Sequence, residues 1–156
     1  MISIRKKMAP VPKTGWLRFS QKVDGGLLLL VELARKVSGT PLSLRTVAEK
    51  NGVSFFFLQK IAADLRKAGI VRSGRGKNGG YELAKPAEEV TMKEILEAHE
   101  GPLSLMYCLD HQNSCVRENW CTVRPGINFI NQTIVHTLAK TTLADFISPT
   151  SPWKTS

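Results

Sequence analysis

No part of this chain approaches the roughly 20 consecutive apolar residues that a membrane-spanning helix requires, so no span is expected. The opening stretch, Met1 to Trp16, is basic and proline-bearing. It lacks the apolar core of about 7–15 residues that a secretory signal carries, and the expected location is the cytoplasm. Cysteine is scarce, with 3 in 156 residues, and a small odd number argues against a disulfide framework. No two cysteines stand as close as the pairs typical of structural zinc sites. The glycine-rich run from Gly74 to Gly80 lacks the lysine–Ser/Thr ending of a phosphate loop, and no internal repeat is present. Acidic residues are nearly missing from one half: residues 1–80 hold 4 Asp/Glu against 16 Lys/Arg, a net of +12. These absences argue against a membrane protein, a disulfide-stapled domain and a phosphate-loop enzyme.

What is present is ordinary in bulk and polarised in detail. Hydrophobic residues make up 42% and charged residues 22%, as in globular chains, and the length suits one domain with an appended element. Residues 81–156 hold 6 Lys/Arg against 9 Asp/Glu, a net of −3, so the overall +9 is concentrated in the N-terminal half. Concentrated positive charge gains affinity for phosphates by releasing counterions, which makes that half the expected nucleic-acid face. A basic surface kept for solubility, or facing an anionic membrane, is the alternative from charge alone.

The hydrophobic periodicity predicts a mainly α chain with a small β wing. Leu27, Leu28, Leu30, Val31, Leu33 and Ala34 make a buried helix of Lys22 to Lys36, with Gly25 and Gly26 as poor helix formers near its start. Pro41 ends this region. Ser43 caps a short helix from Leu44 to Lys50, and Asn51-Gly52 turns the chain. Ser54 caps a third helix to about Ala68, with Phe57, Leu58, Ile61, Ala62 and Leu65 facing the core and Gly69 stopping it. Ile70–Ser73 and Tyr81–Leu83 are short strands flanking a basic hairpin tip. Thr91 and Glu94 have capping-box spacing at the head of a helix through Glu100. A helix-poor stretch, Gly101 to Arg124, holds every cysteine. Pro125 opens a long helix to about Thr141, along which Ile127, Ile130, Ile134 and Leu138 form a narrow stripe suited to pairing with another helix.

Two helices joined by a glycine-containing turn, followed by a hairpin, make a winged helix-turn-helix between Leu42 and Leu83. Its second helix enters the major groove of DNA. Ala48 is small where the helices cross, and Val47, Val53, Leu58 and Ile61 fill inward positions. Ser54, Phe55, Phe56, Gln59 and Lys60 stand at the start of the reading helix, with Arg45 on the helix before it. Gln59 suits adenine, Ser54 a phosphate or base, Lys60 guanine or phosphate, and an exposed Phe a thymine methyl. Arg75 and Lys77 at the wing tip suit the minor groove or its phosphates.

Cys108, Cys115 and Cys121 are separated by six and five residues. Wide, even spacing in a polar loop can wrap an iron–sulfur cluster, whose usual ligands are thiolates. Zinc, metal-free thiol chemistry and inert cysteines are the alternatives from spacing alone.

LRFSQKVDGGLLLLVELA, the helix-turn-helix, RSGRGKNGGYELAKP, the helix leading into EGPL, the three cysteines and TTLADFI occur in this order. Over roughly residues 17–147 the chain resembles the Rrf-type regulators, the family of IscR-like and NsrR-like iron–sulfur regulators. The resemblance implies a homodimer joined by the long C-terminal helix, binding a double-stranded DNA operator and not a membrane. It further implies a cluster, four-iron before two-iron, held by Cys108, Cys115 and Cys121. A histidine ligand of the IscR-like branch would fall at Arg124, so the histidine is missing. The NsrR-like branch uses an aspartate of the partner's first helix, which corresponds to Asp24. A helix-start charge favoured by the macrodipole is the plain reading of Asp24, and His111 is the competing ligand. Gly25 departs from the larger residue that the family usually has there.

The expected organisation is a basic arm (1–16), a winged helix-turn-helix (17–86), a helix with the cysteine loop (87–124), a dimerisation helix and C-terminal segment (125–147), and a tail (148–156). The expected function is a transcriptional regulator controlled by a cluster that responds to nitric oxide, redox state or cluster supply. A winged-helix regulator with a cluster-free thiol or zinc switch is the alternative. An enzyme with a cysteine nucleophile would need a base in register and a substrate pocket, and the sequence offers neither.

Overall fold

The structure, a computed structural model, describes residues 19–36, 41–74, 79–110, 117 and 120–148. The expected arm, Arg75, Lys77, His111, Cys115 and the tail beyond Ser148 lie outside the described residues.

Small polar residues cap the first two helices through their hydroxyls. The Ser20 hydroxyl accepts from Lys22 N–H at 3.2 Å at the head of α1 (Gln21–Ala34). Ser43 does the same for Arg45 N–H at 3.2 Å at the head of α2 (Leu44–Asn51). Each bond satisfies a backbone donor that the first helical turn leaves unpaired. Gly52, with φ of 65°, then takes the left-handed conformation that closes α2 and turns the chain into α3 (Phe55–Lys67). α1 ends at Ala34, two residues short of the expected Lys36, where a turn carries Lys36 N–H to Leu33 O at 3.2 Å.

Gly25 and Gly26 have a packing reason. A methyl on Gly26 would lie 2.5 Å from His99 Nε2, and one on Gly25 would collide with Phe57 and Ile61. The helix-propensity cost of about 1 kcal/mol per glycine is offset by the close approach of α1 to α3 and to α4 (Met92–Glu100). Phe57 thus occupies the space that a larger residue at position 25 would need.

The wing is an antiparallel pair, β1 (Val71–Ser73) and β2 (Tyr81–Leu83), in the register Val71↔Leu83, Arg72↔Glu82 and Ser73↔Tyr81. Leu42 joins it through paired bonds to Tyr81, each 2.9 Å. This ties the wing back to the entry of α2.

After a 3-10 turn at Ala87–Glu89, α4 opens with the expected capping box. Glu94 N–H donates to Thr91 Oγ1 at 3.2 Å, and Thr91 N–H donates to Glu94 Oε2 at 2.9 Å. Among the described residues of the stretch expected to be helix-poor, Tyr107–Asp110 forms a one-turn helix, α5. The long helix α6 (Arg124–Lys140) begins one residue before Pro125, and the chain ends its described course in α7 (Leu143–Ile147). Met92 N–H to Thr141 O and Leu143 N–H to Val90 O, each 2.8 Å, stitch the heads of α4 and α7 together. The result is one hydrophobic core, with Leu29 and Leu30 of α1, Leu58 and Leu65 of α3, Ile95 of α4 and Leu143 of α7 all at 0% exposure. The fold class is therefore a mainly helical winged helix-turn-helix with an appended long helix.

Candidate nucleic-acid interface and cysteine segment

The period of α3 divides its residues cleanly. Leu58, Ile61, Ala62 and Leu65 face the core, so the opposite side presents Phe56, Gln59, Lys60, Ala63 and Lys67, all exposed. Ser54 precedes the helix and its side chain makes no capping bond, which leaves an exposed hydroxyl at the helix head. Phe55 is half-buried against the core, with the Arg45 guanidinium 5.3 Å from its ring centroid. Ala63 and Lys67 are members of this face that the sequence reading missed. They follow Gln59 and Lys60 at helical spacing, and projecting the core period past the first turn finds both. Exposed Arg72 on the wing donates to Glu82 Oε1 at 2.9 Å.

The cysteine segment is fastened to α6. Arg124 Nη2 donates to Cys108 O at 3.3 Å, and Leu105 N–H donates to Asn131 Oδ1 at 2.9 Å. Asn131 is the buried residue of α6 at 8% exposure, because its amide supplies an acceptor that the backbone of the loop needs. Cys108 and Cys121 are half-buried free thiols. Among the described residues no three His, Cys, Asp or Glu side chains converge as a metal site, with Cys115 and His111 outside that set. Asp24 sits exposed in the first turn of α1 and forms no ion pair among the described residues. His136 is exposed on α6, whereas the His99 side chain is fully buried.

The apolar stripe of α6 serves two surfaces. Leu138 packs against the core, and Ile134 and Leu138 line an apolar cavity of about 420 Å³ between α6, α4 and the Leu103–Leu105 loop. Ile127 is half-buried. Ile130 points outward at 48% exposure beside Phe129 at 73%, and Trp120 and Val123 add further exposed apolar surface near the helix start.

The sequence pattern of Rrf2, iron-dependent transcriptional regulator, matches residues 19–149. The chain belongs to the Rrf2 family. The transcriptional regulator CymR of Bacillus subtilis is 34% identical over 134 residues, covering 86% of this chain and 92% of that protein. The structure of CymR, the global cysteine regulator of B. subtilis, aligns with a TM-score of 0.67 over 86% of this chain and 98% of that one, at 35% identity. IscR of T. potens aligns with a TM-score of 0.66 and 28% identity, covering 90% of this chain and 93% of that one.

Membership in the Rrf2 family makes this chain a DNA-binding transcriptional regulator and not an enzyme. The winged helix agrees with that class, and no helix among the described residues is long and apolar enough to cross a membrane.

Proposed function

We propose that this chain is a cytoplasmic homodimeric regulator whose affinity for a double-stranded DNA operator is set by an iron–sulfur cluster of the four-iron type. Cys108, Cys115 and Cys121 would hold it, with the partner's Asp24 as fourth ligand. The donor chemistry of the described residues suits such a group: Cys108 and Cys121 are half-buried free thiols flanking the start of α6, and Asp24 is an exposed carboxylate in the first turn of α1. When bound, the cluster supplies a centre that nitric oxide, oxidation or iron shortage can remove. The chain's own residues do the rest. Residues 17–86 read DNA through Arg45, Ser54, Phe55, Phe56, Gln59 and Lys60, with Arg75 and Lys77 at the wing tip. Residues 87–124 sense, and the helix within 125–147 joins two copies through the outward part of its expected stripe of Ile127, Ile130, Ile134 and Leu138, namely Ile130 with the neighbouring Phe129, since Leu138 packs in the protomer's own core.

The observation that carries this reading is the double fastening of the Cys108 segment to α6 through Arg124 and Asn131. A change around Cys108 acts on the same helix that would join the protomers. Asp24, on α1, shares a rigid core with the reading helix α3. Strict half-site spacing then converts a small reorientation into lost operator affinity.

Anaerobic purification with iron, sulfide and visible-absorption analysis tests this. The expected result is bound iron and sulfide, lost on any single Cys→Ser substitution, with an altered spectrum for Asp24→Ala. A colourless protein holding neither after reconstitution overturns the cluster. A spectrum indifferent to Asp24→Ala but altered by His111→Ala moves the fourth ligand to His111.

A further inference from the structure

The first turn of α3 leaves a large apolar side chain in water. Phe56 is 73% exposed, although its helix takes Leu58, Ile61, Ala62 and Leu65 into the core. Its ring is nonetheless held in place. It stands edge-on to Phe55, with centroids 5.8 Å apart and planes at 66°, and Arg45 lies 5.3 Å from the Phe55 centroid. Edge-to-face rings and a cation over a ring are both favourable arrangements, and Phe55 is itself anchored against the core. The outward face around Phe56 carries polar and basic side chains, Gln59 and Lys60 on the next turn and Lys67 beyond, with the small Ala63 between them. A single apolar ring in a basic setting is a poor fit to an apolar protein groove and a good fit to a polyanion with one apolar feature. In the DNA major groove that feature is the C5 methyl of thymine.

We propose that Phe56 is a specificity-determining residue that packs on the C5 methyl of a thymine in each operator half-site, with Phe55 and Arg45 as positioning residues that fix its ring. This rests on the DNA-reading assignment above and adds which base one position of the operator must hold.

The test uses the full chain to select duplexes from a random-sequence pool. Each thymine of the selected duplex is then replaced singly by deoxyuridine, which lacks only the methyl. One thymine per half-site is expected to be sensitive, with a loss of about fourfold in affinity, the worth of one buried methyl group. Phe56→Ala binds the thymine and uracil duplexes equally, and Phe56→Leu retains part of the discrimination. Arg45→Gln lowers the thymine-to-uracil ratio without lowering the melting temperature, a change that a purely structural role does not produce. If no thymine matters by more than about twofold, or if Phe56→Ala keeps the wild-type ratio, the proposal is overturned while DNA reading stands. Failure to enrich any duplex removes both.

Discussion

His99 is fully shielded from solvent on α4, and neither ring nitrogen has a hydrogen-bond partner among the described residues. Asp64 of α3 lies 3.6 Å from Nδ1, too far for a hydrogen bond, and Lys22 of α1 pairs with the same carboxylate at 3.5 Å. Gly26 of α1 closes the other side. Burial holds the imidazole pKa below its ordinary value, and the neighbouring Asp64 carboxylate opposes that shift without cancelling it, while Lys22 and the adjacent Glu100 add opposing influences. The unfolded chain therefore takes up a proton before the folded one does, so stability rises with pH through this window. It is complete above the unfolded value near 6.5, declines as pH falls below that, and levels off beneath the folded pKa. Replacing His99 with Leu removes the titration and the two unsatisfied nitrogens. The expected gain is about 1–3 kcal/mol, larger at pH 5.5 than at pH 7.5. Urea unfolding at both values measures it, and an unchanged pH slope in His99→Leu would show that another group titrates there.

At the scale of elements, the C-terminal turn α7 carries more than its five residues suggest. Leu143 is 0% exposed in the common core, and its N–H bonds to Val90 O at 2.8 Å beside the head of α4. Asp145 Oδ2 accepts from Thr142 N–H at 2.8 Å, fixing the turn from which Leu143 projects. Leu143→Ala is expected to destabilise the chain by about 2–4 kcal/mol, and a loss below 1 kcal/mol in chemical denaturation would mean that α7 is peripheral. The sequence made neither α5 nor α7 visible, because four- and five-residue helices are too short to show a period. The longer elements were legible for a definite reason. Ser43, Gly52, Gly69 and the Thr91–Glu94 pair mark their ends by hydrogen-bonding and backbone chemistry that acts locally. The site was legible only in part. Gln59, Lys60 and Phe56 follow from local period, whereas the approach of His99 to Asp64, or Asn131 serving the Leu105 amide, joins residues far apart in the chain. The stripe of α6 is ambiguous for the same reason. Its period marks a buried face but cannot say whether the cover is this chain or another.

At the scale of the whole molecule, that ambiguity in α6 decides how two reading units would be spaced. Leu138 is taken up by the protomer's own core, so a joining surface must draw on what remains outside: Phe129 at 73% and Ile130 at 48% exposure, with Trp120 and Val123 near the helix start. An apolar set of this kind on a helix that buries Asn131 instead of a large apolar residue is costly in water, and a second copy is the cover that the proposed dimer supplies. Phe129→Glu places a charge in the middle of that surface without touching the core. The expected outcome is a shift in sedimentation toward the 17.3 kDa monomer and a fall in operator affinity of at least tenfold, since the two half-sites are then bound independently. Circular dichroism should remain unchanged, and the salt slope should fall as fewer phosphates are contacted together. A Phe129→Glu protein that stays dimeric would place the joining surface elsewhere. One that becomes monomeric but keeps its affinity would break the link between dimer geometry and DNA reading, on which the control proposed through the Cys108 segment depends.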